Sequence, residues 1–435
     1  MRQIFSLVAL AITLLTASAQ GVTLTAEQAA DLAVKNSEEM TAAVNAVEQA
    51  DINKKIAHTA YLPKLAGSLT GAWMPDSKYD DVGIRLQMRG MYMAGINITQ
   101  PIYVGGKIVA ANRQAEIGRT AARQQQRLTD INLRARALTS YWTYVAVLAK
   151  VEMMKSYRAV VDTAYNQTLA ALEAGMATRN ELLRIEARRS QVVYQQEQVA
   201  NGADLCRMAL CNAVGLPSDT PVTPADTEIS AEVPADLSDY NLDDRPEMQL
   251  LKADIDVKEQ QVKIVRADFL PQLGLQAGWS AFGNLRVKWM QPLPDGSYMP
   301  LSETINSNGF NVMLSLQVPI FHWGEGIKKV KSAKIDVQNA RLNLEGKTRQ
   351  LDLQVRQTIT NVRTGLELLK SAHTAVNTAE AALTSTATSY SLGMAKITDL
   401  LDAQAGWHTA RADLIEAQTQ LRISVIDYLA ATARL

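Results

Sequence analysis

Two periods of apolar residues run along this chain, and each occurs twice. From about 107 to 174, and again from about 327 to 392, a helix-forming composition continues without proline, broken only by Gly118 in the first stretch and by Gly346 and Gly365 in the second. At 1.5 Å per residue each stretch can form a helix of ~100 Å. A helix of that length needs coiled-coil packing, and the second stretch carries the repeat for it. Val330, Val337, Leu344 and Leu351 are spaced by seven, as are Val355, Val362, Leu369, Val376 and Leu383. The step of four between the two sets is a stutter, which locally unwinds a supercoil. Gly175 and Gly393 follow the long stretches, glycine being favoured just past a helix end. Further helices are predicted over about 179–214 and 397–433, and another over about 26–60, which holds no Gly or Pro.

Ahead of each long helix the period changes to two. Leu65, Gly67, Leu69, Gly71 and Trp73 alternate with small or polar residues, as do Tyr92, Ala94, Ile96 and Ile98. In the second half Leu273, Leu275, Ala277, Trp279 and Ala281 alternate in the same way, followed by Phe310, Val312, Leu314, Leu316 and Val318. This pattern predicts strands over about 64–73, 91–103, 272–281 and 309–321, joined by loops at about 74–90 and 282–308. Each run is about ten residues, the length of a tilted transmembrane strand, with one apolar and one polar face. A soluble half-buried sheet has the same period. Over half of the aromatic residues fall within 61–103 and 269–323, many at strand ends, which fits the girdles of a membrane barrel.

The halves are copies of one plan. Tyr61-Leu62-Pro63-Lys64-Leu65 recurs as Phe269-Leu270-Pro271-Gln272-Leu273, offset by 208. Pro101-Ile102-Tyr103 recurs as Pro319-Ile320-Phe321, and Gly175-Met176-Ala177 as Gly393-Met394-Ala395, both offset by 218. One ten-residue insertion in the second half accounts for the change. Pro63, Pro101, Pro271 and Pro319 are read as helix–strand boundaries, because proline stops a helix and extends the residue before it. The chain therefore divides into a first repeat at 20–216, a linker at 217–245 and a second repeat at 246–435. Between Pro217 and Asp244 the linker carries four prolines, eight acidic residues and no basic one, and reads as a solvated irregular connector. Residues 1–19 combine Arg2, an apolar run from Ile4 to Leu15 and Ala17-Ser18-Ala19, a signal-peptide pattern that makes Gln20 the first mature residue. No cysteine sits at the cleavage point, so the exported chain is expected to be non-lipidated.

Composition narrows the class. Forty-four basic and 44 acidic residues cancel in a chain of 435, where a nucleic-acid binder normally carries a basic excess. Two cysteines and four histidines (His58, His322, His373 and His408) without metal-ligand spacing point to no metal site and no cofactor. No nucleophile–base–acid set is apparent, so an enzyme is the least supported class. Cys206 and Cys211, five apart on a helix, lie on different faces and do not favour a disulfide. Met74, Met88, Met91 and Met93 near the first strand pair are either a soft-metal path or flexible apolar filler.

Four strands cannot close a barrel in lipid. Open edges there leave backbone groups unpaired, at several kcal/mol each, and the smallest single-chain barrels have about eight strands. Several copies must share one barrel if the strands are in a membrane. The competing class is a periplasmic structural or adhesive coiled-coil protein with a soluble sheet.

With this repeat, its Leu-Pro, Gln-Pro-Ile and Val-Pro-Ile boundaries, and the turn from Gly393 to Asp402, the mature chain resembles the TolC-type outer-membrane efflux channel family. The resemblance implies a mostly α fold with a small β part. It implies a homotrimer with a 12-stranded β-barrel and a long periplasmic α-helical barrel, acting as a passive exit duct in tripartite efflux or type I secretion. Its implied partners are outer-membrane lipid, a periplasmic adaptor (membrane fusion) protein, and an inner-membrane pump such as a resistance-nodulation-division or ABC transporter. Asp399 and Asp402 match the family's acidic ring at the periplasmic aperture, with Glu181 and Arg184 at the equivalent positions of the first repeat. Their alternative role is to complement the positive end of the helix starting near Lys396. Where members often carry an arginine, this chain has Ala395, beside Lys396. Gly175, Met176, Leu182 and Leu183 with Gly393, Met394, Leu400 and Leu401 are the implied adaptor-docking tips, and ordinary coiled-coil packing is the alternative for the leucines.

Overall fold

The computed structural model describes residues 22–73, 77–79, 84–87 and 90–435. The expected signal peptide with Gln20, and Met74 and Met88, lie outside them. In chain order the elements are β1 (Val22–Leu24), α1 (Ala26–Asn36), α2 (Glu38–Thr59), β2 (Lys64–Ala72), β3 (Ser77–Tyr79), β4 (Ile84–Gln87), β5 (Met91–Val104), α3 (Lys107–Glu173), α4 (Arg179–Ala213), β6 (Val222–Pro224), a 3-10 turn (Leu242–Asp244), α5 (Pro246–Ala267), β7 (Gln272–Pro292), β8 (Tyr298–Gln317), α6 (Glu325–Ser391) and α7 (Ile397–Ala431). The fold is mostly helical with a smaller sheet part, and α3 and α6 are each 67 residues long. Among the described residues no helix is long and apolar enough to cross a membrane.

The packing units are not the two repeats. One draws on the chain up to Ala46, on Ala122–Leu250 and on Leu344–Leu435; the other on Val47–Ala121 and Leu251–Asn343. Each takes segments from both halves of the sequence.

In the first unit the heptad stripe of α6 faces inward: Val355, Val362 and Val376 are buried, and Leu369 and Leu383 half-buried. Val362 packs with Leu421, Val425 and Tyr428 of α7. The expected single helix over 26–60 is instead two. Ser37 leaves helical geometry (φ −73°, ψ 129°) and its Oγ accepts from the amides of Glu39 and Met40, capping α2. Serine followed by acidic residues is a helix-start signal that outweighs good propensity on either side.

The acidic linker is more than a solvated connector. Its β6 pairs in parallel with β1, and Val222 and Ile229 are buried against Tyr141, Trp142 and Leu210. Tyr141, fully buried, places its hydroxyl 2.6 Å from Asp226 Oδ2 and 3.0 Å from the Leu24 carbonyl oxygen. Burial, then the Asp226 carboxylate, pushes that hydroxyl's pKa up, so it stays a proton donor. The Tyr144 hydroxyl donates to the Val222 carbonyl, and Arg207 to those of Ser218 and Thr220. The chain after α4 turns on Gly215 (φ +71°), where a Cβ would come within 2.6 Å of Asn36 Cβ.

The second unit holds the sheet. Its central order is β2-β5-β7-β8, antiparallel throughout, and the β5–β7 pairing joins the two repeats. The short hairpin β3–β4 adds to β7 beyond the end of β5. The region expected as a loop at 282–308 is instead strand on both sides: β7 runs to Pro292 and β8 starts at Tyr298. A register shift between Phe282 and Leu285, with Asn284 at φ +66°, lets the ladder continue, and Asp295 closes the tip by accepting from Ser297. The insertion thus lengthens a hairpin. At its other end β8 stops at Gln317, short of the expected 321. Pro63 and Pro271 sit immediately before β2 and β7, and Pro319 two residues past β8. Pro101 is not a boundary. It lies inside β5 at a register shift, where its missing N–H is tolerated. Around the bases of α2 and α3, Glu116 pairs with Lys54 (2.5 Å) and Arg119 (2.5 Å), and these partners, chiefly Lys54, hold its carboxyl below the usual range.

Two stability outcomes follow. Tyr141→Phe leaves the part-buried Asp226 carboxylate with only the longer bond from the Ala26 amide (3.3 Å), and should lower unfolding stability by about 1.5–3 kcal/mol. Tyr144→Phe, which loses only a carbonyl acceptor, should cost about 1 kcal/mol. Denaturant midpoints of the two variants check the order, and equal costs would remove the Asp226 clamp. Gly175→Ala, in open space at φ +73°, should cost about 1–2 kcal/mol from backbone strain alone. Gly215→Ala adds overlap with Asn36, and should unfold earlier still in the same measurement.

Candidate functional site

The sequence marks two places, the sheet and the paired helix turns. Both turns close with the same hydrogen bonds. The Gly175 amide donates to Leu172 O (3.0 Å) and Met176 to Ala171 O (2.8 Å); the Gly393 amide donates to Tyr390 O (3.0 Å) and Met394 to Ser389 O (2.9 Å). This is the Schellman pattern, which satisfies the last carbonyls of α3 and α6 and needs a left-handed residue at the glycine. The two turns lie together. Thr168 Oγ1 and Tyr390 Oη are 2.9 Å apart, and Leu182, Ile185, Ile397 and Leu400 share one buried cluster.

That cluster corrects part of the docking expectation. Leu182 (2% exposed) and Leu400 (3%) are core residues, so packing explains them and they offer no surface to a partner. Leu401 is half-buried against the same cluster. Met176, Leu183 and Met394 are exposed, together with Leu392, which the sequence reading missed. An apolar residue at the last position before a turn glycine was the available signal.

The acidic residues have unequal surroundings. Thr178 caps α4: its Oγ1 accepts from the Glu181 amide, and Glu181 Oε2 accepts from the Thr178 amide (2.6 Å), a complete capping box. Lys396 holds the same place before α7. Its ammonium has no acceptor, so only the reciprocal half forms, with Asp399 Oδ2 accepting from the Lys396 amide (3.2 Å). Glu181 and Asp399 therefore both serve a helix start. Asp402 is exposed one turn further on, and among the described residues no hydrogen bond or ion pair engages it. Arg184, its counterpart in the first repeat, is also exposed.

On the sheet, the outer edges of β2 and β8 have no strand partner among the described residues. Along β8 and just past it, Phe310 (88%), Val312, Leu314, Leu316 and Val318 stand exposed at every second position, as do Leu65 and Leu69 of β2. A row of this kind on a folded sheet marks a face made for an apolar surrounding.

Other groups bring no chemistry together. Cys206 and Cys211 are free thiols whose pKa burial raises. His408 packs on Tyr157, with burial as the main cause of its lowered pKa. Among the described residues no group of three or more His, Cys, Asp or Glu side chains is arranged to hold a metal.

The outer membrane efflux protein family model matches residues 29–215 and 237–433, most of the chain. The alkaline protease secretion protein AprF of Pseudomonas aeruginosa is 23% identical over 426 residues, covering 93% of this chain and 82% of that protein. The outer membrane protein TolC of Vibrio cholerae is 24% identical over 338 residues, covering 77% and 74%. Among solved structures, CusC superposes with a TM-score of 0.78 at 16% identity, over 95% of this chain and 92% of that one. These relatives are channels rather than enzymes, and they remove the reading of a periplasmic coiled-coil protein without a membrane barrel. The chain belongs to the outer membrane efflux protein family, as a TolC-type outer-membrane channel that reaches into the periplasm.

Proposed function

We propose that three copies of this chain close one barrel and act together as the passive exit duct of a tripartite efflux or type I secretion system. The observation that carries the reading is the sheet with two unpaired edges, β2 and β8, and an exposed apolar row beside them. In lipid such edges have to be matched within the protein. Three sheets of four principal strands, joined β8 to β2, make a closed 12-stranded barrel without free edges. The duct has no chemistry of its own; energy comes from an inner-membrane pump reached through a periplasmic adaptor. The exposed tips Met176, Leu183, Leu392 and Met394 are the surface assigned to the adaptor.

At the aperture, three copies of Asp402 form a carboxylate ring that favours cations and disfavours anions. Asp399 adds to the ring while also holding the start of α7, and Glu181 acts chiefly as a cap.

In planar bilayers, Asp402→Ala should lower the cation-to-anion permeability ratio several-fold without changing thermal stability. Thr178→Ala should leave the ratio unchanged and cost about 1 kcal/mol of stability through the lost cap. An unaltered ratio in the Asp399→Ala, Asp402→Ala double variant would sink the aperture assignment.

A further inference from the structure

The junction between β8 and α6 differs from its counterpart in the first repeat in two independent ways. The first is backbone strain under an exposed aromatic. Trp323 adopts φ +51°, a conformation that bulky residues rarely take, and its side chain is 86% exposed. The repeat offset of 218 puts Gly105 at the equivalent position, also left-handed (φ +62°). The turn thus requires this conformation, and glycine supplies it without strain. A tryptophan in its place, with no burial to recompense it, points to a role outside the chain. Its ring meets Phe321 edge-on at 5.0 Å, beside the exposed Ile320.

The second difference is charge. Lys328, Lys331 and Lys334 follow within the first turns of α6, where the first repeat has Ala110, Arg113 and Glu116. Of the nearby acids, Glu325 is taken up by Lys329 at 2.5 Å and Asp268 by Lys107 at 2.7 Å, and Asp336 follows two residues after Lys334. Among the described residues none of the three lysines has an ion-pair partner. Lys331 and Lys334 line a groove of ≈ 730 Å³ with Arg266, Phe269, Phe321 and Ile327, and also with His322 and the Lys329-paired Glu325, so its lining combines cationic and apolar side chains. Lys334 lies ~14 Å along the helix from Glu325, the first residue of α6, so all three lysines fall in its first three turns.

We propose that this junction binds the headgroup of an anionic phospholipid in the periplasm-facing leaflet, with Lys328, Lys331 and Lys334 on the phosphate and Trp323 and Phe321 at the acyl boundary. The outer-membrane placement of the family puts the end of β8, where chain passes from strand to helix, at that leaflet. An aromatic at headgroup level beside a juxtamembrane basic cluster is the chemistry that recognises such a lipid. A zwitterionic headgroup would leave the three charges uncompensated.

Native mass spectrometry of the full-length, delipidated protein, titrated with dioleoyl phosphatidylglycerol or dioleoyl phosphatidylethanolamine, tests this. Phosphatidylglycerol should be retained at least about tenfold more tightly, each basic residue contributing roughly fivefold. The triple variant Lys328→Gln, Lys331→Gln, Lys334→Gln should lose most of that preference, and the corresponding triple Arg variant should keep it. Trp323→Gly should raise thermal stability in lipid-free detergent and reduce lipid retention. Millimolar inorganic phosphate should not displace the lipid; full displacement would make this a free-phosphate site and overturn the proposal. Equal binding of the two lipids would overturn it. So would an unchanged preference in the Gln variant, including one accompanied by a changed oligomeric state, which would make the cluster a contact between copies.

Discussion

A strand in lipid has nowhere to send its backbone hydrogen bonds except to another strand. That constraint organises this chain. Inside the sheet it is met by β5 and β7, which join the two repeats along an antiparallel ladder of 12 residue pairs. It remains unmet at the outer edges of β2 and β8. A soluble protein would blunt such edges with charge, proline or a covering loop. Over Phe310–Gln317 the exposed apolar positions of β8 are Phe, Val, Met and Leu, with no charge and no proline; Pro300 and Glu303 lie toward the hairpin tip. The edges are built to be continued. The proposed trimer follows from this more directly than from any interface residue, because the number of strands per copy limits how many copies can close a ring.

The helical part answers a different demand. Helices of 67 residues cannot bury a stripe against a single globular core, so they pack along their length on a heptad period. The stripe fixes which face of α6 turns inward. It does not fix position along the axis, since a seven-residue repeat can slip by a heptad. The buried Tyr141 clamp and its neighbours supply a register mark. Tyr141 ties α3 to Leu24 and Asp226, and Tyr144 and Tyr428 tie the same linker at Val222 and Leu237. The acidic segment between the repeats is held in place both by its backbone carbonyls and by the carboxylates of Asp226 and Asp239.

Much of this architecture was legible in the residues. Period two and period seven are one-dimensional records of which face is buried, and the repeat showed each of them twice. The misreadings share a physical cause. The alternation of Leu285, Val287 and Trp289 with Asn284, Arg286 and Lys288 was present, yet the charges resembled a loop; the register shift that lets the strand continue depends on cross-strand partners. Pro101 has the same composition signal as Pro63, and only its neighbour on β7 tells a bulge from a boundary. Ser37 carried a local signal that helix propensity over a long window concealed. At the turns, Leu182 and Leu183 are adjacent in sequence and of one residue type, but one is core and the other exposed. Which is which depends on how α4 is rotated against its neighbours.

The repeat also supplies an internal control. Where the halves agree, at both Schellman turns and in the antiparallel β2–β5 and β7–β8 pairs, a single structural demand has been met twice. Where they disagree at equivalent positions, the fold evidently does not require either residue. Thr178 completes a capping box that Lys396 cannot, so the second turn gives up helix stability at the point where Asp399 and Asp402 stand together. Arg184 occupies the position equivalent to Asp402, which makes the acidic character of the second turn a property of one half only. Gly105 relaxes a turn that Trp323 strains. At Lys396 and at Trp323 the second repeat substitutes a locally worse residue for a better one known, from the other half, to fit the same backbone. A cost accepted in one copy alone needs a compensating interaction outside the chain. The two departures in the second repeat fall at opposite ends of α6, where a duct of this kind would meet its aperture and its membrane.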